Sequence, residues 1–465
     1  MAPQGIAEAA LTGLRQQLTG EAIVPGEPAY DDARTIFNGM IDRRPAVIAQ
    51  CETGADVARA VRFGREQDLA IAVRGGGHSV AGMAVNDGGL VVDLRRMHTV
   101  IVNPVERAVR VGGGATMSHL DRACQPHDLA TTGGRASTTG VGGFMLGGGS
   151  GWLERKFGLA CDNLVAVELV TAAGDTVHAS EDENPELFWA LHGGGGNFGV
   201  ATAITLQLHS LPAMSMIMLL FPAEKGPEAV RAHRDFCDTA PDEVGGAVLY
   251  LTGPPEPFVP EELVGKLVCA ILVTYAGTEE QARKVAEPML GLGHAAEVIA
   301  QLPYAELQCM LDDPPGLRNY WSAEYLSGFP DDAVDAFCAR ADAMPVPSNS
   351  QHIMFPMGGA VARGPADYPV PWRSARWGIH PFGIWSDPAD DERARQWVRE
   401  ARNDVMPWSI GAVYGNFIGQ EGEERVVASF GAENYRRLAA VKAEYDPDNV
   451  FRLNHNIKPV SPVPA

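Results

Sequence analysis

The chain of 465 residues lacks the sequence patterns of several protein classes, and each missing pattern argues against one class of structure or function. Its seven cysteines are odd in number and lie far apart without a CxxC pair, which argues against a disulfide framework and a zinc site. No stretch reaches the roughly 18 apolar residues that predict a membrane-spanning helix. Neither the phosphate-binding pattern GxxxxGK[ST] nor the metal-binding pattern HExxH occurs.

Basic residues are also scarce. The chain has 37 Lys and Arg against 58 Asp and Glu, a formal net charge of -21. Nucleic acids and anionic membranes attract clusters of Lys and Arg, so neither is predicted as a partner. The N-terminus has no basic segment followed by a long apolar core, which predicts a cytoplasmic protein. We therefore expect the partner to be a small molecule. The protein itself is expected to be a monomer or homodimer.

Glycine, by contrast, is abundant and concentrated in loops of the first half of the chain. Four loops stand out: "RGGGHS" (74–79), "VGGGAT" (111–116), "GVGGFMLGGGSG" (140–151) and "HGGGGNFG" (192–199). Backbone N–H groups in such loops bind phosphates, so four of them predict an extended phosphate-bearing ligand. Tight turns in a strongly curved sheet are the alternative. The last loop matches GxGxxG, but a β-rich run follows it instead of the helix of a Rossmann site.

The pattern of apolar residues predicts an α+β fold in two parts. Residues 45–210 alternate short β-rich runs with helical stretches, including a hairpin around Gly174. From 211 onward, "MSMIMLLF" and "KLVCAILVTYAG" predict long strands, and helical patterns follow at 279–290 and 331–343. We therefore predict a first domain built from 1–210 and 411–465. An inserted domain, 211–410, is predicted to be a mixed or antiparallel sheet covered by helices.

Four signatures together resemble a known family. They are "VRGGGHSVAG", "TGGRASTTGVGGFMLGGGSGWLERKFGLACDNL", "LFWALHGGGGNFGV" and the C-terminal "YDPDNVFRLNHNI". In order and spacing they resemble the bacterial berberine-bridge-enzyme-like FAD-linked oxidases of the vanillyl-alcohol-oxidase superfamily. The resemblance implies a PCMH-type FAD-binding domain and an inserted substrate domain. It also implies an oxidase, which takes a hydride from a carbon bearing a hydroxyl or amine and reduces O₂ to hydrogen peroxide.

The resemblance implies specific roles toward FAD. His78 matches a histidine that is joined covalently to the flavin, and a neutral imidazole is a competent nucleophile. Many relatives carry a second link through a cysteine in GxxCxxxGVGG, where this chain has Ala136, so a single link is predicted. The other predicted cofactor residues are Arg74, Gly75, Gly76, Gly77, Ser79, Gly140, Gly142, Gly143, Val200, Asn454 and Asn456. For the two asparagines, a role in a turn is the alternative.

The predicted catalytic residues are Tyr414 and Thr139. Relatives often use a tyrosine base in YxNY, and here the stretch is Tyr414-Gly415-Asn416-Phe417, so Tyr414 is the nearest candidate, with a core tyrosine as the alternative. Thr139 matches a small residue that admits O₂, unless it merely ends a strand. Substrate contacts are predicted for Tyr320, Trp321, Tyr325, Gln351, His352 and Phe417. Aromatic residues that fill a sheet–helix interface would look the same.

Three alternative functions remain from the sequence. An FAD-dependent dehydrogenase would use an acceptor other than O₂, and a non-catalytic flavoprotein would only carry the cofactor. A hydrolase would need a nucleophilic serine, and Ser79 and Ser150 both lie among glycines. Neither fits GxSxG, because position 81 is Ala and position 152 is Trp. The sequence does not distinguish among sugars, aromatic alcohols, amines and intermediates of secondary metabolism as the substrate.

Overall fold

The computed structural model describes residues 6–460, which form three large β-sheets, a small two-stranded sheet and their covering helices. The first sheet has the strand order β1-β2-β4-β3, in which β2, β4 and β3 are parallel and β1 is antiparallel to β2. Its strands are β1 (Glu21–Ile23), β2 (Val47–Gln50), β3 (Ile71–Arg74) and β4 (Leu90–Asp93). Because β3 ends at Arg74, the loop 74–79 emerges at the carboxyl end of a buried strand.

The second sheet is fully antiparallel, with the order β5-β6-β10-β8-β9. Its strands and those of a small two-stranded sheet are β5 (Val100–Asn103), β6 (Ala108–Gly112), β7 (Leu129–Ala130), β8 (Leu164–Val170), β9 (Thr176–Ser180), β10 (Val200–Gln207) and β11 (His209–Ser210), with β7 paired to β11. The hairpin predicted around Gly174 joins β8 to β9. The loop 192–199 runs directly into β10, so no helix follows the GxGxxG pattern.

Helices cover these two sheets, and interactions between residues close in sequence stabilise them. In the helix Gly54–Glu66, the Thr53 hydroxyl accepts from the Asp56 N–H, and Val57, Ala60 and Val61 are buried against the sheet. The helices of this part are α1 (Glu8–Gln17), α2 (Tyr30–Arg34), α3 (Gly54–Glu66), α4 (Met117–Cys124), α5 (Val141–Leu146), α6 (Glu154–Phe157) and α7 (Pro185–Ala190).

The third sheet has eight antiparallel strands in the order β15-β12-β14-β13-β18-β19-β16, and β17 also pairs with β19. The strands are β12 (Ser215–Pro222), β13 (Val244–Thr252), β14 (Leu267–Tyr275), β15 (Ala296–Gln301), β16 (Arg318–Trp321), β17 (Glu324–Leu326), β18 (Gln351–Pro356) and β19 (Trp377–Trp385). One face packs against helices through Val230, Phe337 and Met354. The other face turns Ile353 and Phe355 toward the glycine loops.

The remaining helices lie on the large sheet or at the C-terminus. They are α8 (Gly226–Thr239), α9 (Glu279–Val285), α10 (Glu287–Leu290), α11 (Tyr304–Leu307), α12 (Asp331–Asp342), α13 (Ala360–Arg363), α14 (Asp391–Val405), α15 (Glu423–Phe430) and α16 (Ala432–Tyr445). A buried ion pair between Lys442 and Asp446 fixes the C-terminal segment, because Lys442 also donates to the Asn197 carbonyl in the fourth glycine loop.

The structure agrees with the predicted α+β class, and every strand of the large sheet lies between Ser215 and Trp385. The boundaries at 210/211 and 410/411 stay predictions. In residues 6–460, no helix has both the length and the apolar character that crossing a bilayer requires.

Candidate active site

A cavity of about 360 Å³ lies between the glycine loops and the large sheet. All four glycine loops of the sequence contribute to its lining. The opposite wall is apolar and largely aromatic, and it comprises Trp321, Ile353, Phe355, Phe382, Ile384 and Phe417. Asn454 and His455 of the C-terminal segment close one end. The fold therefore brings strand ends from three sheets to one enclosed space.

The glycines in this cavity are needed because the loops touch through their backbones. A Cβ on Gly76 would lie 2.4 Å from the Gly140 nitrogen, and a Cβ on Gly140 would lie 2.3 Å from the Gly76 nitrogen. A Cβ on Gly142 would lie 3.1 Å from the Gly113 carbonyl oxygen. Gly143 and Gly196 have no other protein atom within 4 Å of that position, so they leave open space for a ligand. Gly75, Gly77 and Ser79 also line the cavity.

His78 is held as a neutral imidazole at the cavity wall. Its Nε2 lies 2.9 Å from the Thr138 hydroxyl, and its ring stacks on Phe37 with centroids 3.8 Å apart. Although part of the ring borders the cavity, burial disfavours the imidazolium and lowers the pKa of His78 to about 4. The side chain is therefore neutral, oriented and available to an electrophile. The neighbouring Arg74 guanidinium instead donates to the carbonyls of Ala33 and Thr35, away from the cavity lining.

Two asparagines of the C-terminal segment have unpaired acceptors, and one of them lines the cavity. The amide oxygens of Asn454 and Asn456 are buried and have no hydrogen-bond partner in the described chain. Asn454 also donates to the Gly196 carbonyl of the fourth glycine loop and, with Val200, lines the cavity, whereas Asn456 does not. A glycine-walled cleft, a neutral histidine at its wall and the free buried amide oxygen of Asn454 fit an extended dinucleotide such as FAD.

The segment 136–139 forms the cavity wall beside His78. Ala136 and Thr139 both line the cavity, and the Thr139 carbonyl accepts from the Met117 N–H at 2.9 Å. The position expected for a second flavin link thus carries only a methyl group. Cys124 and Cys161 are buried outside the lining, and burial raises the pKa of both thiols, that of Cys124 to about 12. No cysteine lines the cavity within residues 6–460.

Tyr414 borders the cavity, but its hydroxyl is already used. The oxygen accepts hydrogen bonds from the Gly149 N–H at 3.0 Å and from the Asn416 amide at 2.8 Å. The ring is fully buried against Trp372 and Phe417, and burial raises the pKa of the phenol above its ordinary value. A tyrosine that acts as a base needs a lowered pKa and a free lone pair. The structure therefore does not support the base role predicted for Tyr414, which instead fixes the third glycine loop.

Of the six predicted substrate residues, three line the cavity and three lie elsewhere. Trp321, Gln351 and Phe417 line the cavity. Tyr320, on the other face of β16, lies under the Arg399 guanidinium. Tyr325 packs in the core against Trp372.

His352, next to Gln351 on β18, faces the helix layer and stacks on Phe337 at 4.1 Å. The structure thus does not bring Tyr320, Tyr325 and His352 to the cavity, and this corrects their predicted substrate contacts. Strand periodicity explains the outcome, because adjacent residues point to opposite faces.

Sequence reasoning missed two charged groups at the cavity. Arg135 donates to Glu154 at 3.0 Å and to the Ser150 hydroxyl at 3.1 Å, and its guanidinium lies 3.9 Å over the Phe355 ring. Arg135 lies inside the second family signature, and this position could have identified it as a cavity residue. Asp313 lies in a proline-rich loop with no motif around it, so nothing in the sequence singled it out.

The hydrolase alternative finds no catalytic pair. The Ser79 hydroxyl accepts from the Met83 N–H, and the Ser150 hydroxyl accepts from Arg135. No serine hydroxyl bonds to a histidine ring in the part of the chain that the structure describes. The same described residues contain no group of three or more metal-ligating side chains.

Comparison with known proteins agrees with this geometry. Residues 45–180 match the FAD binding domain family, and residues 413–458 match the berberine and berberine-like family. The (R)-6-hydroxynicotine oxidase of Paenarthrobacter nicotinovorans is 32% identical over 454 residues, which cover 95% of this chain and 97% of that protein. An uncharacterized FAD-linked oxidoreductase of Bacillus subtilis is 29% identical over 460 residues, 95% of this chain and 99% of the relative.

Solved structures show the same architecture. The crystal structure of 6-hydroxy-D-nicotine oxidase from Arthrobacter nicotinovorans superimposes with a TM-score of 0.85 at 30% identity, covering 95% of this chain and 98% of that one. A berberine-bridge-enzyme-like protein of Physcomitrella patens gives 0.86 at 22% identity, with 97% and 100% coverage, and shows the fold alone. The chain is therefore an enzyme of the berberine-bridge-enzyme-like FAD-linked oxidases within the vanillyl-alcohol-oxidase superfamily.

Proposed function

We propose that this enzyme is an oxidase of small aromatic amines or alcohols. It takes a hydride from the carbon that bears the nitrogen or oxygen and reduces O₂ to hydrogen peroxide. The observation that carries the proposal is the cavity itself, in which a glycine-walled cleft with a neutral histidine faces an aromatic wall. When bound, FAD accepts the hydride and returns the electrons to O₂.

The glycine loops and His78 would hold the cofactor. Residues 75–79 and the glycines of 140–143 line the cavity, and Gly143 leaves open space beside its backbone, so the N–H groups of these loops suit the pyrophosphate and the ring system. His78 would be the single covalent attachment point, because Thr138 and Phe37 fix its ring and the neutral imidazole keeps a lone pair on one ring nitrogen. With Ala136 at the other family position, no second link would form. Asn454 would offer its free amide oxygen to the far end of the cofactor.

The large sheet would hold the substrate. Trp321, Phe382 and Phe417 present ring faces and edges to the cavity, and apolar rings bind by stacking and by exclusion of water. Gln351 supplies an amide that orients a polar substituent. A sugar would need many hydrogen-bond partners, which this wall does not offer, so aromatic substrates are favoured over oligosaccharides. Tyr414 would contribute by positioning, and the substrate proton would leave to another acceptor.

The further assignments are proposed with this function. Residues 1–210 and 411–465 would form the FAD-binding domain, and 211–410 the substrate domain. Thr139 would be small enough to let O₂ reach the reduced ring. A cytoplasmic location and a monomer or homodimer are kept from the sequence analysis as proposals.

A substrate panel tests the proposal. We expect the purified protein to be yellow and to lose its visible flavin absorbance, under anaerobic conditions, with a benzylic amine or alcohol. In air, one hydrogen peroxide should form for each O₂ consumed. Bleaching without peroxide would indicate a dehydrogenase, and reduction by dithionite but by no substrate would indicate a flavin carrier. A colourless protein would overturn the proposal.

A further inference from the structure

Asp313 is the single carboxylate among the described residues that line the cavity. It lies in the loop between α11 and β16, on the same cavity as Trp321 and Phe417. Within residues 6–460 its side chain has neither a hydrogen bond nor an ion pair, and its surroundings contribute only burial and the neighbouring charge of Asp312. A partly buried carboxylate without a partner is costly, so it is expected where a ligand supplies the partner.

The loop that carries Asp313 is fixed to the cofactor side of the cavity. The adjacent Asp312 accepts hydrogen bonds from the Ser137 N–H at 2.7 Å and from the Ser137 hydroxyl at 2.5 Å. Ser137 belongs to the segment 136–139, which forms the wall beside His78. Asp313 is therefore held at the junction between the cofactor loops and the aromatic wall. A polar group near the reacting carbon of a substrate would lie at this junction.

The other cavity groups leave the charge of Asp313 uncompensated. Arg135 is the only Arg or Lys among the described lining residues, and it is engaged by Glu154. His78 and His455 also line the cavity, and burial lowers the pKa of both rings, so neither is a cation at neutral pH. Around them stand aromatic side chains, whose ring faces attract cations. A partly buried negative charge in a cavity lined by aromatic rings is suited to an ammonium group.

We propose that Asp313 determines substrate specificity by pairing its carboxylate with the ammonium group of a cationic amine, and so selects amines over neutral alcohols. This inference rests on the proposed oxidase function and narrows its substrate class. Asp313 is assigned a binding role, in which it positions the charged nitrogen against the aromatic wall.

The charge of Asp313 is also predicted to set a pH limit on binding. Burial and the negative charge of Asp312 raise the pKa of Asp313 to about 6. The carboxylate is ionised above that pH and neutral below it, so affinity for a cation is present above about pH 6 and lost as the pH falls. The pKa of His78 lies near 4, below this range, and Arg135 stays paired with Glu154, so a loss that Asp313→Asn abolishes belongs to Asp313.

Binding of a non-oxidisable pair of probes tests the inference. Benzyltrimethylammonium carries a permanent positive charge, and neopentylbenzene is its uncharged isostere. We expect the flavin-loaded enzyme to bind the cation at least tenfold more tightly at pH 8, measured by flavin absorbance changes or calorimetry. Asp313→Asn should remove this preference and leave the affinity for neopentylbenzene unchanged. The matched control is Glu306→Gln, which changes the net charge equally at an exposed position outside the cavity lining and should keep the preference.

The wild-type enzyme provides a second measurement that needs no variant. Affinity for benzyltrimethylammonium should fall at least fivefold between pH 8 and pH 5, while affinity for neopentylbenzene stays constant. Equal binding of the two probes, or a cation preference that survives in Asp313→Asn, would overturn the inference even if aromatic alcohols are oxidised. Conversely, a cation preference that depends on Asp313 without any substrate oxidation would leave this site standing and remove the proposed oxidase function.

Discussion

The imidazole of His78 lies parallel to the ring of Phe37, with the centroids 3.8 Å apart and the planes 19° from parallel. Together with the hydrogen bond to Thr138, this contact restricts the imidazole in both tilt and rotation. Burial keeps the ring neutral at physiological pH. The structure thus places one oriented, neutral imidazole at the edge of a glycine-lined cleft.

We expect acid-precipitated wild-type protein to remain yellow, because the proposed attachment of the flavin to His78 is covalent. His78→Ala should release FAD into the supernatant and largely keep the fold, since His78 makes one side-chain hydrogen bond. Substrate reduction of the flavin should be slower in the variant. A white wild-type precipitate with free FAD in solution would refute the covalent link.

A single flavin attachment is expected because Ala136 has no nucleophile. Mass analysis of a tryptic digest should place the flavin on one peptide, Gly75–Arg95, which contains His78. Ala136→Cys serves as the comparison, and a second modified peptide is expected if the new thiol reaches the ring. Flavin on a peptide with Cys124 or Cys161 would contradict the alignment of the third loop.

Thr139→Leu should slow reoxidation of the reduced flavin by O₂ at least tenfold, a barrier increase of about 1.4 kcal/mol. Thr139 lines the cavity beside His78, and a larger side chain there would obstruct the approach of O₂. Anaerobic reduction by substrate should change little. Stopped-flow reoxidation at several O₂ concentrations provides the measurement. Equal rates in the two proteins would exclude Thr139 from the path of oxygen.

Tyr414→Phe should reduce stability without abolishing catalysis. The substitution leaves the buried Gly149 N–H without its acceptor, which costs about 1–3 kcal/mol, whereas the exposed Asn416 amide keeps the Gly143 carbonyl as an acceptor. Chemical denaturation would measure the loss, and kcat should stay within about threefold, or about 0.7 kcal/mol of barrier. A loss of kcat by several orders of magnitude with unchanged stability would restore Tyr414 as the base.

Asp121 should make stability fall as the pH rises. Burial raises the pKa of this carboxyl to about 7 from 3.8, so the folded state holds a proton that the unfolded state has released between about pH 4 and pH 7. Stability is therefore greatest at the acidic end of this window and declines through pH 7. Asp121→Asn should remove the decline and raise Tm at pH 8 by about 2–4 °C. Thermal unfolding of the wild type and of Asp121→Asn from pH 5 to pH 8 tests this. An equal fall of Tm with pH in both proteins would contradict the prediction.

Local sequence patterns determined much of the fold. The Thr53 and Asp56 cap and the apolar face of Val57, Ala60 and Val61 specify α3, because these interactions lie within one helix. The glycine loops and the strand after 199 were likewise apparent from residue order. His78 was identified in the same way, since it adjoins three glycines and matches a family signature over a short span.

Only the tertiary structure decided which of the other candidates reach the cavity. Gln351 and His352 are adjacent in sequence, yet the register of β18 sends one to the cavity and the other to Phe337. The structure does not support the base role predicted for Tyr414, because the Gly149 N–H, 265 residues away along the chain, and the nearby Asn416 amide both donate to its hydroxyl. The binding role that we propose for Asp313 depends on Ser137, 175 residues away from Asp312, which fixes the loop. Neighbours along the chain set backbone conformation, whereas the pKa and contacts of a side chain depend on residues that only folding brings together.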